Sequence, residues 1–147
     1  NSLKASRNNF EGVTWAELPS GLKNFDVSKN VISGGLNLDQ LPEGLHHLLA
    51  KSNKFSGPLL LKHLPPLLET LDVSANELSG TPDLLSLHEA IRFVFLQNNH
   101  FTGTPDLSRL PTNLRRIVLR GNKWKRELPS GMEDPPAGGQ QKAAQRS

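Results

Sequence analysis

Asparagine recurs at Asn8, Asn30, Asn53, Asn76, Asn99 and Asn122, at intervals of 22 and then four times 23 residues. A period of this length restricts the chain to coils that stack on one another, because no unit so short can bury an apolar face alone. Two residues after each Asn stands a bulky apolar side chain: Phe10, Ile32, Phe55, Leu78, Phe101 and Trp124. Four residues after it stands Gly12, Gly34, Gly57, Gly80 or Gly103, and only the sixth repeat departs, with Arg126.

The residues before each Asn alternate. Five positions upstream are Leu3, Phe25, Leu48, Leu71, Val94 and Ile117, and three upstream are Ala5, Val27, Ala50, Val73, Leu96 and Leu119. Alternation with period two predicts a short strand with one buried face. Stacked coil upon coil, such strands form a parallel sheet with about 4.8 Å between neighbours. The Asn column falls where each strand ends, and a buried amide there can satisfy backbone groups of its own and the adjacent coil. The glycine that follows permits a left-handed backbone that a Cβ would oppose. Segments such as "GTPDLSRLP" then cross the outer side. Their Pro and Asp favour turns, so 3₁₀ or irregular structure is expected there, with "SGT" suited to a short strand.

These columns spell L-x-x-L-x-L-x-x-N-x-L over residues 2 to about 131, and the chain resembles the leucine-rich-repeat proteins. "LSGTPDLLSL" and "FTGTPDLSRLP" are similar to plant receptor-type repeats and, in wording, to protozoan repeats of the kinetoplastid kind. The resemblance implies a leucine-rich-repeat solenoid with its parallel β-sheet on the concave face and a 3₁₀ or irregular convex face. It also implies protein recognition, though a fold of this kind does not specify its ligand. The expected organisation is a solenoid of six repeats over 1–131, with a disordered tail or linker over 132–147, where "MEDPPAGGQQKAAQRS" has no periodicity. The first coil has no N-terminal cover, so continuation upstream is expected.

Composition removes whole classes of chemistry. Without cysteine, disulfides and thiolate catalysis or metal binding are excluded. No apolar run approaches the roughly 18 residues of a membrane helix, so no membrane insertion is expected. His46 and His47 are adjacent and alternate across a strand, while His63, His88 and His100 fall on turns or the convex side. No metal or cofactor site is expected. Asp26 and Asp72 share a column two coils apart, about 9 to 10 Å by strand spacing, near the separation of inverting glycosidases. Leu49 lies between them, and no pocket is expected to raise either pKa, so no catalytic residue is assigned.

The outward strand positions are the natural reading surface. Six residues before Asn the column reads Ser2, Asn24, His47, Thr70, Phe93 and Arg116. Four before it reads Lys4, Asp26, Leu49, Asp72, Phe95 and Val118; two before, Ser6, Ser28, Lys51, Ser74, Gln97 and Arg120. Aromatic residues beside arginine have the composition of a binding hot spot. The expected partner-binding residues are therefore Phe93, Phe95, Arg116, Val118, Arg120, Leu49, His47 and Asp72. A second cluster, Arg115, Arg116, Arg120, Lys123, Lys125 and Arg126, suits either a solvated face or an acidic partner. The leading expectation is a monomeric, non-enzymatic module that binds a protein. The alternatives are the substrate-recognition segment of a larger enzyme, such as a ligase receptor, and electrostatic binding of nucleic acid or an acidic partner through the basic cluster. Nucleic acid is the weaker of these, since no stacking platform accompanies the charges.

Overall fold

The structure, a computed structural model, describes residues 1–5 and 15–125. Six short strands share one parallel sheet: β1 (Ser2–Lys4), β2 (Asn24–Asp26), β4 (His47–Leu49), β6 (Thr70–Asp72), β8 (Phe93–Phe95) and β10 (Arg116–Val118). Five more form a second parallel sheet: β3 (Ser33–Gly34), β5 (Lys54–Pro58), β7 (Glu77–Gly80), β9 (His100–Gly103) and β11 (Lys123–Trp124). The first sheet is the concave face of a leucine-rich-repeat solenoid. The second sheet occupies the "SGT"-like segments, so the strand there is a regular element along the stack. Single 3₁₀ turns follow at Trp15–Glu17, Leu38–Gln40, Leu61–His63 and Leu84–Ser86.

In the first sheet the register follows the repeat, whereas in the second the paired residues stand 21 apart, as Ser33 with Lys54 and Ser79 with His100. Leu48 pairs with Leu71, Leu71 with Val94, and Val94 with Ile117. These four residues are fully buried, and Phe55, Leu78 and Phe101 join them from the second sheet. One continuous core therefore runs between the sheets and the 3₁₀ turns. Leu3 departs from its column: it stays 40% exposed on the edge strand, where nothing among the described residues stacks beyond it.

Trp15 shows how the short first interval is absorbed. Counted back from the next Asn, it occupies the position of Leu38, Leu61 and Leu84, and like them it opens a 3₁₀ turn. Its ring fills the core edge-on to Phe25 at 6.1 Å and tilted against Phe55 at 5.9 Å. Columns counted forward from Asn8 miss it by one residue.

The asparagines form the expected ladder, buried at Asn30, Asn53, Asn76 and Asn99. The Nδ2 group of Asn76 donates to Ala50 O of the preceding coil at 3.1 Å, and to Val73 O and Ser74 O of its own at 3.0 Å. Its Oδ1 accepts from Phe55 N at 3.0 Å. Asn53 and Asn99 repeat the arrangement one coil down and one coil up. Each amide thus joins two coils through backbone groups that the strands leave unpaired. Asn8, the expected tail over 132–147 and Arg126 lie outside the described residues.

Candidate concave-face interface

Each outward strand position is set by the pleat: the buried Phe25, Leu48, Leu71, Val94 and Ile117 point inward, so their neighbours point out. Phe93 and Phe95 flank Val94 on β8 and both are half-buried. Phe93 pairs with Arg116 and Phe95 with Val118 across to β10. Two aromatic rings and an arginine are thereby gathered on one end of the sheet, as the columns predict.

Val118 is a correction. It was expected as an exposed member of this patch, yet it is fully buried. Large side chains surround a small one here: Phe95 lies across the strand pair, Arg116 stands two residues before it on β10 and Arg120 two residues after it, just past the strand, so a three-carbon side chain sits below their level. It can support a contact surface but not provide one. Phe95 itself is half-buried rather than wholly solvent-facing, and Arg116 and Arg120 are half-buried with their Nε atoms enclosed. The serines of the inner column are also recessed, Ser28 and Ser74 each being 6% exposed.

The other candidates lie further along the same face. His47 is half-buried, with Nδ1 3.0 Å from Thr70 Oγ1. Leu49 and Asp72 are half-buried neighbours in direct register. Asp72 Oδ1 accepts from Ser74 N at 3.1 Å and from Ser74 Oγ at 2.6 Å. Asp26 is held the same way by Ser28 N at 2.9 Å. Seven of the eight candidates thus share one sheet, with Arg120 just past its last strand, but they fall into an aromatic end and an acidic middle.

The face is not flat around the two aspartates. An open hollow of about 420 Å³ lies over four successive coils, those of β1, β2, β4 and β6, and Lys4, Asp26, Lys29, Leu49, Lys51 and Asp72 are among its lining. Asp26, Lys4 and Lys51 stand in the outward columns, but the columns carry no sign of the hollow between them.

The basic cluster is not one patch. Arg116 lies on β10 of the concave sheet, whereas Lys123 lies on β11 of the second sheet. Among the described residues, cations close in sequence are therefore divided between two sheets, because each coil turns through both within that length. Among the histidines, His46 Nδ1 lies 3.9 Å from Glu69 Oε2. His100 lies on β9, in the second sheet.

No protein-family model matches the sequence, and no curated protein matches it. Solved structures do. The chain is similar to the crystal structure of a pollen receptor kinase 3, with a TM-score of 0.66 and 30% identity over 80% of this chain and 58% of that one. It is also similar to a chain in the crystal structure of the BIR3–SERK2 complex from Arabidopsis thaliana, with a TM-score of 0.56 and 26% identity over 80% and 67% of the two chains. This chain spans 58% of the length of the first. Its repeat register, its asparagine ladder, its parallel sheets and this likeness make it a leucine-rich-repeat protein.

Proposed function

We propose that this chain is a non-enzymatic interaction module that binds a partner protein on its concave sheet, with Phe93 and Phe95 as the central anchors and Arg116 beside them. The observation that carries this reading is the pair of half-buried rings on the outward face of β8, where the preceding coils carry polar or small aliphatic residues. Aromatic rings partly seated among neighbours and flanked by arginine are the usual source of interface energy. The likeness to a chain in a two-protein complex supports the class of function. A role as the recognition segment of a larger enzyme would use the same face and place its chemistry elsewhere. The division of the cations between two sheets weighs against an electrostatic nucleic-acid interface, which needs them along one groove.

Photo-crosslinking tests the face directly. Benzoylphenylalanine at position 93 should give a partner adduct, and the same group at position 100, on the second sheet, should give none. An adduct only from position 100 would overturn the reading. With a partner in hand, Phe95→Ala should cost about 2 kcal/mol or more of binding. Its folding cost should be smaller, about 1 kcal/mol, since the ring is only partly removed from water. Val118→Ala should do the reverse, losing stability while leaving affinity nearly unchanged, because that side chain is buried.

A further inference from the structure

One column of the concave sheet has an order that the aromatic anchors alone do not explain. In direct register across β2, β4, β6 and β8 stand Asp26, Leu49, Asp72 and Phe95. The rungs alternate acidic, apolar, acidic, apolar. Both carboxylates are oriented by a bond from the backbone N–H two residues on, which occupies Oδ1. Neither forms an ion pair among the described residues, although Lys4 is the register neighbour of Asp26. The hollow of about 420 Å³ opens over the first three of these rungs.

Spacing decides what shape of ligand could follow all four rungs. Adjacent strands lie about 4.8 Å apart, so the three steps from Asp26 to Phe95 span about 14 Å. A helix lying along the column brings a side chain to the same face about every 5.4 Å, and after three turns it is out of step by about 2 Å. An extended strand presents same-side residues about 6.7 Å apart and is out of step by about 6 Å. Side-chain flexibility absorbs the first mismatch and not the second.

From this we infer that the concave face takes an amphipathic helix of the partner protein, lying across the strands, with Arg or Lys at i and i+7 and apolar residues at i+4 and i+11. The basic residues meet Asp26 and Asp72; the apolar ones meet Leu49 and Phe95. Lys4 lies one rung before Asp26 and gives the helix a direction, favouring an acidic residue at i−4. Lys29 and Lys51, which also line the hollow, disfavour further cations on the helix flanks. The inference rests on the concave-face reading above and adds the partner's secondary structure and charge order.

The test uses the full chain and three fluorescent peptides read by anisotropy. The first is a blocked alanine-based helix with Arg at i and i+7 and Leu at i+4 and i+11. The second replaces both arginines with glutamate, and the third keeps the composition but breaks the helix with a central proline. The first should bind, and the other two should bind at least about tenfold more weakly. The Asp26→Asn, Asp72→Asn double variant should lose about tenfold for the first peptide. Each Asn can still accept its serine N–H, so the fold is kept. Equal binding of the glutamate or proline peptide, an unaffected double variant, or no binding of the first peptide would each overturn the helix assignment. If that happens while the position-93 adduct still forms, the concave-face reading stands and only the helix falls.

Discussion

Asparagine at the end of each concave strand does a task that no apolar residue could do. Its two-sided amide matches a carbonyl and an N–H of the preceding coil at once, and the site is buried. In Asn76→Ala, Phe55 N and Ala50 O lose a partner within the core, and the expected loss is about 1–3 kcal/mol. Asn122 makes the same kinds of bond but is only half-buried, so water can replace part of what is lost. Asn122→Ala should therefore be milder. Denaturant melts of the two variants check this, and equal losses would contradict a ladder whose strength depends on burial.

At the level of the element, the turn before each Asn has a conformation that its residue types do not announce. Lys29, Ser52, Ala75 and Asn98 have φ of 60°, 59°, 55° and 60°, and Gly121 takes the same place with φ of 73°. Only Gly and, to a lesser degree, Asn adopt this region cheaply. The strand and the Asn ladder on either side hold the turn against that local preference. Ala75→Gly removes the strain of about 1–2 kcal/mol, while freeing the unfolded chain takes back about 0.4–1 kcal/mol. A net gain of about 0.5 kcal/mol is expected from the melting curve. Gly121→Ala should destabilise, because a Cβ there adds strain and meets the Asn98 side chain.

For the molecule as a whole, stability is a sum over neighbouring coils, so position in the stack sets local stability. Strands β4 and β6 have a coil on each side and fully buried Leu48 and Leu71, whereas β1 is an edge with Leu3 40% exposed. Native-state hydrogen exchange should therefore be slowest for amides of β4 and β6 and fastest for β1. A uniform rate across the six strands would mean that the stack opens only as one unit.

The period of 23, the paired apolar columns and the Asn column were enough to predict the solenoid, the sheet that carries Phe93 and Phe95, and the core formed by Leu71, Val94 and Ile117. They could do so because each is a repeated local demand, and a stack satisfies all copies by one geometry. Trp15 escaped because one missing residue shifts its column, and the left-handed turns escaped because Lys, Ser and Ala give no local sign of them. The sequence placed Val118 on the outward side of its strand by parity, but parity says nothing of height. Its burial depends on the bulk of Phe95, Arg116 and Arg120 around it, and these meet only when coils are stacked. The same holds for the hollow over Asp26, Leu49 and Asp72 and for the division of the basic cluster. Facing is a property of one strand and can be read along the chain; depth and neighbourhood belong to several coils at once, and only their packing decides them.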